Sequence, residues 1–401
     1  MAAMSIDSLP NEILLLIVGN LENIVPRSPG DIKELEYKRA SSDNVGQYRP
    51  LVPFSHHRIR KDPGRRNDIL NMARVNRRFS DICAEVLYQR IVVFEDRWCT
   101  KSRSLRNTLA GSGAKLQQKV THLLVDYSDH FQHGEWSMMN PLNLSGLRTL
   151  ELAGHENSVK RIPSQPLAHW FRIIPKLSGL ERLGFWGFYN FLHDFQAAKM
   201  PVLPRITDLC LHDCDLAVGR LNPREDSAVA CDFFGRFPAL RSLAITETGP
   251  GWLRVDSAMA YPLQASELRA VKHLKVPSLL ELMCGGVDGE FEKTVETIEL
   301  IDPDFDLGHA PRVLRGGVLH GPVSYSWRPV RIIRELLKFL VGQCRDVYQR
   351  VRVLDIRSIN EVVLRFRYRM TEEKDDIRGV VARFAKIFEE ELGVVLLHSL
   401  S

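Results

Sequence analysis

Residues that could perform chemistry are sparse in this 401-residue sequence. The stretch His130-x-x-His133-x-Glu135 carries donors that bind transition metals, but a polar loop of this composition produces such spacing by chance. Cys210 and Cys214 are the closest pair among seven cysteines, and no second Cys/His pair follows at the spacing of a tetrahedral zinc site. Buried free cysteine is the expected role of these thiols. The sequence therefore predicts neither a metal site nor a cofactor.

Catalytic motifs are also missing from the sequence. Gly111-Ser-Gly113 and Gly285-Gly286 lack the glycine spacing that cradles phosphates. Neither Gly-x-Ser-x-Gly nor His-Glu-x-x-His occurs, and the ladder of Cys and His residues of a ring-type zinc module is absent. These observations predict a protein that is not an enzyme.

A stripe of arginines is the most distinctive charged feature. Residues 363–370 alternate strictly, which places Arg365, Arg367 and Arg369 on one face of a strand. Guanidinium groups bind phosphate and carboxylate through paired hydrogen bonds, so the stripe favours an acidic or phosphorylated partner. A charged edge strand that resists aggregation is the alternative interpretation.

The net charge of +5 bears on nucleic-acid binding, which is the second functional hypothesis. The basic residues concentrate in two segments, 22–67 and 328–369. However, the net charge is small for the chain length, and neither segment interleaves basic and stacking aromatic residues within a known motif. The sequence thus argues against nucleic acid as the partner.

Composition and apolar runs favour a cytoplasmic or nuclear protein. Hydrophobic residues make up 44% and charged residues 26% of the chain, which is typical of globular proteins. The longest apolar run, Ile13–Val18, is far shorter than the roughly 20 residues of a membrane span. The first residues lack the basic region of a secretory signal. We therefore expect no membrane association.

Two helical segments flank a long irregular stretch near the N-terminus. The apolar pattern from Leu9 to Leu21, with Pro10 in the first turn, predicts a short helix. Residues 22–67 hold five prolines and ten basic against six acidic residues, which predicts a basic, disordered insertion. Helical spacing returns over residues 68–88.

These two segments together resemble an F-box. The resemblance rests on Leu9-Pro10-x-Glu12-Ile13-Leu14-x-x-Ile17, followed by Val75-Asn76-Arg77-x-Phe79, Ile82 and Leu87-Tyr88. It implies docking on the Skp-type adaptor of a cullin ubiquitin ligase. The insertion 22–67 departs from the family, in which only a few residues separate the two halves. The adaptor-contact or core residues that the resemblance implies are Leu9, Pro10, Ile13, Leu14, Ile17, Val75 and Phe79.

A repeated frame of the form Leu-x-x-Leu-x-Leu dominates the remaining chain. Its five clearest copies and three weaker copies start at Val120, Leu147, Leu180, Ile206 and Leu240, and at Val271, Val295 and Val351. The pattern resembles the leucine-rich-repeat family, in which each repeat contributes a strand and a helix or turn. Stacked repeats would form a solenoid, because one repeat alone cannot bury its apolar side.

The predicted fold class is α/β, with a helical F-box followed by an irregular leucine-rich-repeat solenoid. Predicted boundaries are 1–95 for the F-box, 96–119 for a linker helix, 120–370 for the solenoid and 371–401 for a capping helix that stops at Gly393. Outer helices are expected at 167–174, 229–237 and 330–348.

Residues between the leucines of each frame would face a concave sheet surface, because side chains alternate along a strand. Candidate client-binding residues on this surface and on the arginine stripe are Arg182, Trp186, His212, His273, Lys275, Arg365, Arg367 and Arg369. The expected function is a non-catalytic substrate receptor that binds the adaptor, and through it a cullin, and an acidic or phosphorylated client. Alternatives are a repeat scaffold outside any ligase and a basic nucleic-acid-binding protein.

Overall fold

The structure is a computed structural model of the 401-residue chain. It describes residues 10–15, 71–94, 107–109, 114–126, 144–153, 165–186, 188, 191–212, 214, 223–246, 268, 270–276, 294–300, 329–356 and 374–398. The chain divides into two compact units, residues 1–152 and 153–401. The predicted insertion 22–67 and the arginine stripe lie outside the described residues.

The first unit combines short helices with parallel strands. Residues 11–15 and 71–73 are helical. The other elements are α1 (Arg77–Gln89), β1 (Arg90–Phe94), α2 (Ala114–Lys119), β2 (His122–Asp126) and β3 (Thr149–Ala153), the last of which ends at the unit boundary. Strand β1 follows α1 without a linker and pairs with β2 in parallel. The sheet therefore begins inside the range that the sequence had predicted to be a helical F-box.

The second unit alternates strands with helices. Its strands are β4 (Arg182–Trp186), β5 (Asp208–His212), β6 (Ser242–Thr246), β7 (His273–Val276), β8 (Thr297–Leu300), β9 (Val353–Asp355) and β10 (Val395–Leu397). Its helices are α3 (Gln165–Ile173), α4 (Phe191–Ala198), α5 (Pro223–Gly235), α6 (Pro329–Asp346) and α7 (Lys374–Ile387). Neighbouring strands pair in parallel and in chain order from β4 to β10. The α/β class is thus confirmed.

Every copy of the leucine frame contains a strand. Strands β2 to β9 each begin two residues after the start of their frame, as for Leu180 and β4, which begins at Arg182. The fourth and sixth frame positions are buried, as Leu183 and Phe185 illustrate. This outcome follows from the pleat, which turns alternate side chains to the same side of the sheet.

A tight turn of the same geometry precedes most of these strands. The first frame residue donates its N–H to the carbonyl three residues earlier, as from Leu180 to Leu177 (3.1 Å) and from Leu240 to Phe237 (3.0 Å). The next two N–H groups then bond one carbonyl of the preceding repeat; that of Thr207, for example, accepts from Arg241 and Ser242. The repeat is therefore one of backbone geometry as well as of residue type.

Apolar side chains of the helices pack on the sheet, as Phe171 of α3 does on Phe185 of β4, with ring centroids 5.6 Å apart. The outer helices predicted at 167–174, 229–237 and 330–348 are confirmed as α3, α5 and α6. Helix α6 packs against α7. After α7, one π-helical turn spans Phe388–Leu392, and Gly393 ends it with a left-handed φ of 63°. A glycine adopts this φ at little cost, which confirms Gly393 as the stop signal.

The chain after Gly393 adds a strand that the sequence had not predicted. Strand β10 pairs with β9, with Leu396 opposite Leu354. Of the described residues, none belongs to a helix long and apolar enough to cross a membrane.

Replacing Gly146 by alanine is expected to destabilise the first unit by about 1–3 kcal/mol, as overpacking does. A Cβ at Gly146 would clash with the carbonyl oxygen of Gln118, which is backbone and cannot rotate away. The matched control is Gly342→Ala in α6, where an added Cβ meets nothing within 4 Å. That substitution should stabilise the helix by about 0.5–1 kcal/mol. Urea unfolding followed by circular dichroism measures both; equal effects of the two variants would contradict the prediction.

Candidate functional site

The two N-terminal segments of the F-box resemblance pack around one apolar core. We call residues 10–15 and 71–89 the N-terminal helical cluster. Its core consists of Leu14, Phe79, Ile82, Cys83 and Val86, with Leu15, Met72, Ala73 and Leu87 packed against it. More than fifty residues separate the two segments in the sequence. Long loops add little to the entropy cost of closure, so burial of the shared core outweighs the insertion.

A turn before helix α1 fixes the backbone at Val75 and leaves its side chain exposed. The N–H of Arg74 donates to Asn71 (3.1 Å) and that of Val75 donates to Met72 (3.0 Å), which closes the turn after the helical residues 71–73. Asn76 then caps α1, because its Oδ1 accepts the N–H of Phe79 at 2.9 Å. The short side chain of Val75 thus sits at a fixed point between two helical segments.

The predicted adaptor residues divide into core and surface. Leu14 and Phe79 are buried, with 0% and 2% of their surface exposed. Ile13 and Val75, by contrast, are 42% and 66% exposed. These two exposed apolar side chains of one helical cluster are candidates for contact with another molecule.

The other predicted adaptor residues provide less information about a docking surface. Pro10 is exposed at the start of the first helical segment. Leu9 and Ile17 lie outside the described residues. A hydrogen bond from Arg78 Nε to Asn11 Oδ1, 2.7 Å long, ties the first segment to α1.

Outward-facing side chains of the strands in the second unit form rows across neighbouring strands. We call this side the polar face; its described members are Arg182, Asp208, Cys210, Ser242, His273, Lys275, Thr297, Glu299 and Val353. Register places Arg182 beside Asp208 and Lys275 beside Glu299. Asp355, although also on this side of β9, is buried.

Cross-strand ion pairs partner two of the predicted client-binding cations. Lys275 Nζ lies 2.6 Å from Glu299 Oε1, and Arg182 Nε lies 3.8 Å from Asp208 Oδ2. His273 is exposed on the same strand as Lys275, two residues before it, and its register partner on β6 is Ser242. Sequence reasoning did not anticipate the pairing, since Asp208 and Glu299 lie more than twenty residues from their partners in the chain.

Trp186 and His212 end β4 and β5 as register partners, and their side chains lie outside the described residues. Arg365, Arg367 and Arg369 lie outside them altogether. The client-binding residues of the sequence therefore stay predictions. Those that the structure describes, Arg182, His273 and Lys275, do share one face.

Hydrogen bonding and burial shift the pKa values of several described groups. A hydrogen bond from the Lys272 ammonium (2.7 Å) holds the pKa of Glu296 below its ordinary value. Burial raises the pKa of the Cys344 thiol to about 12, and that of Cys83 is also raised by burial. Such thiols stay protonated near neutral pH and are poor nucleophiles.

Cys210 and Cys214, the closest cysteines in the sequence, have different surroundings. Cys210 is half-buried beside Gly184 and Ala244, whereas Cys214 is buried and its Sγ lies 3.4 Å from the carbonyl oxygen of Phe185. Within the described ranges, no group of three His, Cys, Asp or Glu side chains is arranged to hold a metal ion.

In the first unit, one further ion pair spans neighbouring strands. His122 Nε2 of β2 lies 3.3 Å from Glu151 Oε1 of β3, and both side chains are mostly buried.

No protein-family model matches the chain, and no curated protein is significantly similar to it.

Proposed function

We propose that this protein is a non-catalytic substrate receptor of a cullin-type ubiquitin ligase, acting in the cytoplasm or nucleus. In this proposal the N-terminal helical cluster is an F-box that docks on the Skp-type adaptor. The main support for this proposal is that the two halves of the motif share one apolar core, while Ile13 and Val75 stay exposed. An F-box interrupted by a long insertion needs this packing in order to present a docking surface.

The parallel repeats support the second half of the proposal, a leucine-rich-repeat solenoid that holds the client. Each repeat presents outward side chains beside those of its neighbours, which produces an extended surface of the kind that repeat proteins use for binding. An acidic or phosphorylated group of the client would bind Arg182 or Lys275 in place of the carboxylate that pairs with that residue across the strands. His273, exposed two residues before Lys275 on the same strand, would add a hydrogen bond.

Proximity is the proposed mechanism. Tethering the client to the ligase through one chain turns transfer of ubiquitin into an effectively intramolecular step. The receptor itself then needs no catalytic residue. This role is compatible with thiols whose pKa values are raised by burial, as for Cys344.

Capture of a recombinant Skp-type adaptor tests the docking surface. We expect Val75→Asp and Ile13→Asp each to weaken capture about 100-fold, because each buries an unpaired charge at an apolar contact, which costs about 3 kcal/mol or more. Both residues are exposed in the free protein, so the variants should fold normally by circular dichroism.

Val202→Asp is the matched control for this experiment, since Val202 is an exposed apolar residue of the second unit. It should bind the adaptor like the wild type. If the wild-type chain does not capture the adaptor, the ligase proposal is wrong and a repeat scaffold becomes the better explanation. If all three variants bind equally, the docking surface lies elsewhere.

A further inference from the structure

The surroundings of Val75 are strongly basic. Arg74 and Arg77 flank it in the sequence and are exposed, while Arg78 is half-buried and bonded to Asn11. The acidic residues on the described segments of the cluster are Glu12, Asp81 and Glu85, and Glu85 is paired with Lys119 at 3.4 Å. Among the described residues, neither Arg74 nor Arg77 has a carboxylate oxygen within 4 Å.

Several other cations in the described chain are compensated by local carboxylates instead. Lys272, Lys275 and Arg345 each lie within 3 Å of a carboxylate oxygen. Cations with local partners contribute little net attraction to an incoming molecule. No such carboxylate among the described residues offsets the charge of the two arginines beside Val75, so both can attract an acidic partner.

Val75, which lies between Arg74 and Arg77 in the sequence, is apolar and is held in place by its turn. Two backbone hydrogen bonds close the turn on its N-terminal side, and the Asn76 cap holds its C-terminal side. Valine has few rotamers to lose, so its burial in a partner pocket carries a small entropic cost. An apolar centre with a charged rim is the usual arrangement of a protein interface.

Resting on the function proposed above, we infer that the adaptor surface that receives Val75 is an apolar pocket bordered by carboxylates that face Arg74 and Arg77. Complementary charges at the rim of an interface act mainly on the association rate. The arginines therefore steer docking, whereas Val75 and Ile13 hold the complex together.

Association kinetics with recombinant Skp-type adaptor test this inference. The charge-reversal variant is Arg74→Glu/Arg77→Glu, which leaves the exposed apolar residues unchanged. At about 0.05 M salt we expect its association rate to fall about tenfold or more, as loss of steering does. At about 0.5 M salt, where screening shortens the range of charges to a few ångströms, the difference should shrink to within about twofold.

The matched control is Arg172→Glu/Lys176→Glu, which makes the same change of net charge at exposed positions of the second unit. Its association rate should change much less than that of the reversal at Arg74 and Arg77. Equal slowing by both variants would show that only net charge matters and would overturn the inference.

The outcomes separate this inference from the proposed function. If Val75→Asp abolishes capture but the charge reversal changes neither the rate nor its salt dependence, the acidic rim is wrong and the ligase proposal stands. If the wild-type chain fails to bind the adaptor at either salt concentration, both are wrong.

Discussion

Phe233→Ala is expected to lower the free energy of unfolding of the second unit by about 3–5 kcal/mol, the usual cost of deleting a buried phenylalanine. The ring of Phe233 is fully buried. Its centroid lies 5.1 Å from those of Phe191 and Phe195 in α4, and 5.1 Å from that of Phe237, all nearly edge-to-face. Such aromatic pairs contribute beyond the area that they bury. The substitution therefore removes aromatic contacts between α4 and α5.

Urea unfolding with hydrogen exchange measured by mass spectrometry locates this effect. Peptides covering α4 and α5 should lose protection first. Val202→Ala is the control in the same unit, because Val202 is 52% exposed and its truncation should cost under about 0.5 kcal/mol. A loss below about 1 kcal/mol for Phe233→Ala would show that this aromatic cluster does not stabilise the fold.

Leu14→Ala is expected to cost about 2–5 kcal/mol, the range for a buried leucine, and to release the first helical segment from the N-terminal helical cluster. Leu14 is 0% exposed and is the member of the apolar core contributed by residues 10–15. The Asn11–Arg78 hydrogen bond is exposed and cannot hold the segment alone. Hydrogen exchange at the Leu14 amide, which bonds the carbonyl of Pro10 at 3.1 Å, reports the release directly.

Ile13→Ala is the matched control for that prediction, since the two residues are adjacent in the same helical segment. Ile13 is largely exposed, so its truncation should leave unfolding unchanged within about 0.5 kcal/mol while weakening adaptor capture. Leu14→Ala should impair capture through loss of structure. Normal protection of residues 10–15 in Leu14→Ala would contradict the shared core.

The positions of the strands could be predicted from the sequence to a large extent. The Leu-x-x-Leu-x-Leu frame specifies a local pleat with one buried face, and strands β2 to β9 occupy it with the same two-residue offset. Period-2 alternation is a short-range property, so a sequence reader needs no knowledge of the neighbouring strand. β1 and β10 were missed because Tyr88 and Gly393 stand at their first frame positions.

The presence of the outer helices was predictable for the same reason, but their limits were less exact, since the helix predicted at 229–237 spans Pro223–Gly235. Apolar residues at spacings of three and four mark α6 and α7, and Gly393 takes the left-handed conformation that ends the last turn. These are local relations among residues within one or two turns.

The candidate site depended on long-range contacts instead. The F-box-like motif placed Ile13, Leu14, Val75 and Phe79 in one functional set, whereas only packing separates the buried pair from the exposed pair. The hydrophobicity of a side chain does not reveal which side of a helix meets a segment more than fifty residues away. The uncompensated charge of Arg74 and Arg77 is likewise a property of their surroundings.

The sequence by itself determined the α/β class, the periodic strands, the outer helices and the helix stop at Gly393, because each follows from local backbone geometry and the period of apolar residues. Only the tertiary structure decided that Arg182 and Lys275 meet Asp208 and Glu299 across strands. It also decided that two separated segments share the core around Leu14. Those contacts depend on strand register and on the burial of surface between distant segments, which no local pattern encodes.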